Sequence, residues 1–543
     1  MSERNRFLKT SSWLLSLLLV LPIIAIFYAS FGESEEVFGH LMSTVMGTYT
    51  INTALLVVGT VFLSILMGIP SAWLMANYAI SGDRWLQWAL VLPLAMPSYI
   101  VGYIYTDWFD YAGPLQGLLR EWMGWTSATQ YWFPDLRTLL GACFVLSLVL
   151  YPYIYLLARA AFMEQSLTLT QSARLLGCSP LQSFFRISLP LARPAIAIGS
   201  SLVAMEAIGD FGIVSYLSVS TLTTAVYDTW LGYSNLNAAA KISAIMLVVI
   251  FILISSERYS RRKQKLFSQN SSPDKIAKVH LQGGFKLAAV LWCWVLFILA
   301  FLAPLSQLIF YAWTYHSTSS IVDFAQYSFN SLYVSAIAAV VALIIGLTVN
   351  LYHRLSVTVW GAVPARVSSL GYAMPGTVLA IGVLIFLTSA DHFINDVAEE
   401  FGFGRLGLFL SGTMFALLTA FVVRFSAVAI GSIESSLTKV SPSFDMAART
   451  LGCNVRGMIL RIQLPLIRRG CLIAMLLVFI ESMKELNAAI LLRPFNFETL
   501  ATYVFNYASD EHLEYAASSA ILLVMVGLVP LIMINRSLEQ SHA

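Results

Sequence analysis

Glu206 and Asp210 stand four residues apart in an apolar run, and Glu481 and Glu485, with Lys484 between them, repeat the arrangement 275 residues further on. Residues four apart share a helix face, so each pair would turn two carboxylates to one side of a span. A carboxylate in hydrocarbon costs roughly 2.5–3.5 kcal/mol even on the lenient insertion scale, which points to a protein-lined or watery interior. The chemistry on offer is a cation-tolerant pathway, with Lys484 able to neutralise an acid. Interhelical hydrogen bonding, or a position near the outer water boundary, is the structural alternative.

A second constellation is also duplicated. The stretch SARLLGCSPLQSFFRISLPLARPAI, Ser172 to Ile196, returns as AARTLGCNVRGMILRIQLPLIRRG, Ala447 to Gly470; Gly177 and Gly452, like Pro190 and Pro465, are 275 residues apart. The glycines suit a turn with unusual backbone angles, Ala173 and Ala448 allow close approach of a partner, and the prolines fit the first turn of a following helix. The expected unit is a short helix, a turn and a second short helix that re-enters the membrane, forming a docking surface. An amphipathic interfacial helix with arginines on lipid headgroups is the alternative. Two copies with matching Gly-to-Pro spacing argue against it.

The elements that must hold these residues are membrane helices. Of 543 residues 58% are hydrophobic and only 11% charged, with a mean hydropathy of +0.75, whereas soluble chains carry about 25% charged residues. Apolar runs of about 20 residues, enough to cross a bilayer as a helix, recur near 12–31, 53–79, 85–105, 138–162, 194–218, 237–256, 286–314, 331–352, 366–389, 408–431, 470–493 and 516–535. Long unbroken runs favour helices over a transmembrane barrel, so the fold expected is an all-α integral membrane protein of about twelve spans. The first run resembles a secretory signal in position, but no convincing small-x-small cleavage site follows it, and it reads as retained.

Basic residues fall on one side of these spans. Arg174, Arg186 and Arg193, the ERYSRRKQK segment, and Arg449, Arg456, Arg461, Arg468 and Arg469 share that side; Asp107, Asp110, Asp391, Asp396, Glu399 and Glu400 take the other. Basic loops belong inside, which places both docking stretches and both termini in the cytoplasm. The net charge of +3 implies no nucleic-acid partner.

The duplication reaches further. YTINT at Tyr49–Thr53 matches YSFNS at Tyr327–Ser331, and Ala95-Met96-Pro97 matches Ala373-Met374-Pro375, both offset by 278. Between the halves, 257–284 is polar and reads as a flexible cytoplasmic linker. With about six spans each, the halves share one orientation, a parallel repeat. No Gly-x4-Gly-Lys-[Ser/Thr] phosphate loop is present. Cys143, Cys178, Cys293, Cys453 and Cys471 form no C-x-x-C pair, which argues against disulfides and zinc alike. No catalytic constellation is visible, and no metal ligand set.

The docking stretches resemble the cytoplasmic signature of the membrane subunits of ATP-binding-cassette importers: Glu-Ala-Ala, three residues, Gly, nine residues, Ile-x-Leu-Pro. The first copy offers Gln171-Ser172-Ala173, Gly177 and Ile187-Ser188-Leu189-Pro190; the second offers Met446-Ala447-Ala448, Gly452 and Ile462-Gln463-Leu464-Pro465. The leading Glu is absent from both, with Asp445 one position earlier in the second, so that acid's role does not carry over. The resemblance implies a type I importer permease with two fused domains, 48–256 and 326–536. Around them lie 1–47 with the first helix, the linker 257–284, 285–325 with the seventh helix, and the tail 537–543.

By the same resemblance Ala173, Arg174, Gly177, Ile187, Leu189 and Pro190, and Ala447, Ala448, Arg449, Gly452, Ile462, Leu464 and Pro465, belong to coupling helices that dock on an ATPase subunit, expected as a homodimer. ATP and Mg2+ would bind that subunit, leaving no cofactor in this chain. A periplasmic solute-binding protein is the other implied partner, and the inner membrane the location. The sequences following Glu206 and Glu481 resemble fused permeases of ferric-iron importers, and also permeases for thiamine, phosphonates and polyamines. A proton-coupled secondary transporter is the reading from another class. It would not need two docking loops.

Overall fold

The computed structural model describes residues 4–79, 82–163, 165, 177, 179–261, 279–280, 283–315, 318–356 and 358–542. Its principal helices are, in the first half, α1 (Arg4–Ala29), α2 (Met46–Asn77), α3 (Ser98–Phe109), α4 (Leu139–Met163), α5 (Leu189–Gly209) and α6 (Leu236–Arg261). The second half contributes α7 (Gly283–Phe297), α8 (Ala303–Thr314), α9 (Thr318–Leu355), α10 (Gly376–Glu400), α11 (Met414–Thr438), α12 (Pro442–Thr450), α13 (Leu464–Lys484), α14 (Leu500–Ser509) and α15 (Ala517–His542). In hydrocarbon a helix satisfies its backbone groups within one segment, which is why the apolar runs take this form.

Among the described residues eleven helices are long and apolar enough to cross a membrane, and the pair Trp85–Ala95 and Ser98–Met123, bent by 94°, makes a twelfth if counted as one span. That bend breaks the expected third span at Met96-Pro97. The equivalent Met374-Pro375 breaks the expected span 366–389 in the same way: Met96 and Met374 are extended (ψ 124° and 133°), and a 3-10 turn precedes each. A residue before proline is driven out of the helical region, so each Ala-Met-Pro ends one helical segment and starts another.

The chain forms two compact units that do not follow the sequence halves. One is Met1–Val45, Thr223–Leu247 and Ser317–Asn506; the other is Met46–Leu222, Val248–His316 and Tyr507–Ala543. The boundaries 48–256 and 326–536 expected for two domains therefore describe the repeat in sequence, not the units in space.

In the first unit α1 lies on α9, α10 and Val363–Ser368. Its buried residues Ser12, Ser16, Leu19, Ile23 and Ile26 recur every three or four positions, one stripe of a helix, while Leu14, Leu17 and Leu18 are exposed. Ser12 donates to Thr348 O at 3.2 Å and Ser16 to Pro364 O at 3.0 Å. In the second unit the linkage is of the opposite kind, a second-half helix on first-half residues. Trp292 of α7 donates to Ser71 Oγ at 3.0 Å, and Tyr311 of α8 to Asp107 Oδ2 at 2.6 Å.

The expected linker is shorter than 257–284. Helix α6 continues to Arg261, Val279 and His280 pair in parallel with Tyr78 and Ala79, and α7 begins at Gly283. The remaining 262–278 and 281–282 lie outside the described residues.

Candidate functional site

The second docking stretch is described throughout. Helix α12 ends at Thr450, Leu451 N and Cys453 N donate back to Ala447 O and Ala448 O, and Gly452 turns the chain at φ +74°. Asn454 then caps a new helix by accepting from Gly457 N at 2.8 Å. In the first stretch Gly177 has the same left-handed backbone, φ +81°. Ser179, the counterpart of Asn454, forms a reciprocal cap with Gln182: each backbone N–H donates to the other's side-chain oxygen, at 3.0 and 3.3 Å. Ala173 and Arg174 lie outside the described residues, as does the Arg449 side chain.

The short helix after each turn was expected to be separate from the span. It is instead continuous with it, giving single helices Leu181–Gly209 and Val455–Lys484. Between the two parts lies a π turn, Phe184–Ser188 or Ile459–Gln463, so that Leu189 N bonds Phe184 O and Leu464 N bonds Ile459 O. A proline has no N–H and its ring crowds the carbonyl four residues back; widening the turn just before it relieves both effects. The same π turn at Ile298–Leu302 precedes Pro304, far from either docking stretch. Leu189-Pro190 and Leu464-Pro465 thus keep the helix whole across a proline, and Ile187 and Ile462 sit inside the widened turns.

Ala448 does not face outward. It is 4% exposed and packs with Leu355 and Met458, so its small size serves contact within the chain. The outward surface includes Phe444, Met446, Ala447, Gly452 and the apolar Leu451, which is 86% exposed, with Phe185 and Leu460 exposed at equivalent positions of the two π turns. Asp445 points the other way. Its Oδ2 accepts from Arg354 Nε at 2.7 Å and its Oδ1 from Gln463 Nε2 at 2.9 Å.

The second acid of each pair stands where its helix ends. Helices α5 and α13 end at Gly209 and Lys484, and Asp210 and Glu485 that follow are extended (ψ 126° and 111°). Each carboxylate accepts the backbone N–H three residues on, at the start of the next short helical segment: Asp210 Oδ1 from Ile213 N at 2.9 Å, and Glu485 Oε1 from Ala488 N at 3.0 Å. A carboxylate that satisfies the N–H three residues on competes with helix continuation, which is why both expected spans break at these acids. Glu206 stays on α5, half-buried; Glu481 stays on α13 with Lys484 Nζ 3.4 Å from its Oε1.

Three residues beside these acids were not singled out from sequence. Ser98 donates to Asp210 Oδ2 at 2.6 Å. Its repeat counterpart is Gly376, where a Cβ would stand 2.6 Å from Glu485 Oε1. The longer acid therefore meets the residue without a side chain, and the shorter acid meets a hydroxyl. Arg424 of α11 adds a cation 3.2 Å from Glu485 Oε1. Its signal was available: a lone charge inside the apolar run 408–431.

The segment after each acid is anchored by the YTINT and YSFNS repeat. Asn52 donates to Ser220 O and Asn330 to Glu498 O, both at 3.0 Å. Thr53 Oγ1 accepts from Leu222 N at 2.9 Å, and Ser331 Oγ from Leu500 N at 2.7 Å. All four bonds obey the 278-residue offset. The second copy carries a longer connection, closed by an ion pair of Arg493 with Glu498.

The family described as binding-protein-dependent transport system inner membrane component matches residues 64–265. The chain is 25% identical over 492 residues to the Fe(3+)-transport system permease protein FbpB 2 of Haemophilus influenzae, covering 89% of each. It is 21% identical over 544 residues to the ferric transport system permease protein FbpB of Actinobacillus pleuropneumoniae, covering 94% of this chain and 75% of that one. To the molybdenum transport system permease protein ModB of Escherichia coli it is 30% identical over 213 residues, 37% of this chain and 90% of that protein.

Proposed function

The chain belongs to the family of binding-protein-dependent transport system inner membrane components, and we propose that it alone supplies both halves of the translocation pathway of an ATP-binding-cassette importer for ferric iron. The observation that carries this reading is the duplicated docking unit. Two left-handed glycine turns, each followed by an unbroken helix into the membrane, make two equivalent sites for an ATPase pair. Exposed Leu451 at the second turn is apolar surface for such a subunit to cover.

ATP and Mg2+ bind the partner subunits in this scheme, expected as two identical copies. A solute-binding protein outside the membrane hands over the cargo, and both termini lie in the cytoplasm by the distribution of basic loops. A proton-driven transporter would leave the paired docking units without a use.

Iron rests on the relatives that match along both halves and carry ferric transport in their names; the molybdenum permease matches over 213 residues, no more than one half. The acids support a cationic cargo less than their sequence suggested, because Glu481 and Glu485 each stand beside a basic side chain. Glu206 and Asp210 remain the pathway residues of interest in the first half. The deciding experiment is uptake of radioactive ferric iron by proteoliposomes holding this chain, its ATPase and its binding protein, with and without internal ATP. ATP-dependent accumulation is expected. ATP-dependent uptake of thiamine, a phosphonate or a polyamine instead would replace the cargo, and uptake driven by a proton gradient alone would overturn the mechanism.

A further inference from the structure

We infer that Arg354 and Asp445 lock the second docking helix to α9 and to the start of α13, so that displacement of a docked ATPase subunit passes into the membrane helices through that clamp. The inference rests on the functional reading above and adds a clamp that two equivalent docking units do not imply.

Arg354 sits in the last turn of α9 and ties three elements together. Its Nε reaches Asp445 Oδ2 on the docking helix α12 at 2.7 Å, while Nη1 and Nη2 reach Leu437 O and Val440 O, at the end of α11 and just past it, at 2.5 and 3.0 Å. The second oxygen of Asp445 accepts from Gln463, the last residue of the π turn that leads into α13. The docking helix is therefore held on one side by α9 and on the other by the start of the span. Both charged side chains are 13% exposed. Charge-assisted bonds shielded from water are stronger and less screened than surface pairs, and a fork-shaped guanidinium fixes direction as well as distance. Beside them Leu355 packs on Ala448 and Met458, so apolar contact reinforces the same joint.

None of this is coded in the first copy. At the 278-residue offset that holds on both sides of it, the counterpart of Arg354 is Ala76; at the 275-residue offset the counterparts of Asp445 and Gln463 are Thr170 and Ser188. Ala76 offers no cation, and Thr170 and Ser188 offer neither a carboxylate nor an amide. The apolar joint changes too, with Asn77 for Leu355 and Ser183 for Met458. What the two copies share is the glycine turn, the π turn and the proline. They differ in the residues that make the clamp, and 166–176 of the first copy lie outside the described residues. Coupling between distant sites travels through elements that move as one body, so the clamp passes a displacement of the docking helix on to α9 and α13.

The test uses the whole transporter, this chain with its ATPase and binding protein, reconstituted in proteoliposomes. Iron accumulated per ATP hydrolysed is measured for the wild type, Arg354→Gln, the milder Asp445→Asn, and Ser188→Ala as the first-copy control. ATPase co-purification is scored in parallel. In both clamp variants the ratio is expected to fall roughly three- to tenfold with the ATPase still bound, while Ser188→Ala keeps the wild-type ratio. A wild-type ratio in either clamp variant, or a loss of uptake matched by an equal loss of hydrolysis, overturns the inference; if Arg354→Gln does not assemble, Asp445→Asn decides. A wild type that accumulates iron without ATP would instead mark failure of the functional reading itself.

Discussion

Arg424 Nη1 stands 3.2 Å from Glu485 Oε1, with the two side chains 13% and 7% exposed. Removing one partner of such a buried pair leaves the other charge uncompensated, at a cost of about 3–5 kcal/mol. Glu485→Gln is therefore expected to lower the thermal unfolding temperature of the purified chain markedly. Glu481→Gln, at the partly exposed pair with Lys484, is expected to cost no more than about 1 kcal/mol. Equal losses in the two variants would contradict the pairing.

Gly376 and Ser98 make a reciprocal experiment. Gly376→Ser puts a Cβ 2.5 Å from Arg424 Nη1 and 2.6 Å from both Asn487 Cβ and Glu485 Oε1, and overpacking of this kind costs about 1–3 kcal/mol. Shortening the acid at the same time, Gly376→Ser with Glu485→Asp, restores the serine–aspartate pairing of the first half beside Arg424 and is expected to recover part of the loss. Thermal unfolding of the single and double variants checks this; a double variant no better than the sum of its parts would refute the size argument.

Gly452 has φ +74° and open space where a Cβ would go, so a substitution there acts through the backbone alone. Left-handed backbone costs an ordinary L-residue about 1–2 kcal/mol, and Asn tolerates it better than a β-branched residue. Gly452→Val is expected to reduce ATP-driven uptake severely, and Gly452→Asn to keep most of it. Similar uptake from both would remove the turn from the mechanism.

Ser331 Oγ is the acceptor for the Leu500 amide. A hydrogen bond is worth about 1 kcal/mol net, equivalent to roughly fivefold in an opening equilibrium. Ser331→Ala is expected to speed hydrogen exchange at Leu500 by about that factor, and Thr53→Val to do the same at Leu222. Unchanged exchange at both amides would mean that the repeat residues do not anchor these segments.

Much of this protein was legible in one dimension. The apolar runs, the two 275- and 278-residue offsets and the left-handed demand at Gly177 and Gly452 are local or periodic properties, and the helices and turns follow them. The acids at 210 and 485 were visible as charges in spans, but not as the residues that end those spans. A helix that stops because a side chain captures the N–H three residues on looks, in composition, like one that continues.

What the sequence determined by itself was the membrane setting, the parallel duplication and the positions of the docking turns, because burial in lipid and backbone sterics act residue by residue. Only the tertiary structure decided that α1 lies on second-half helices, that Ala448 faces inward, that Gly376 makes room for Glu485, and that Arg354 meets Asp445. The last two residues are 91 positions apart. Spacing along the chain sets which helix face a residue occupies, but which faces meet is decided by how whole helices pack, through the summed contacts of many side chains.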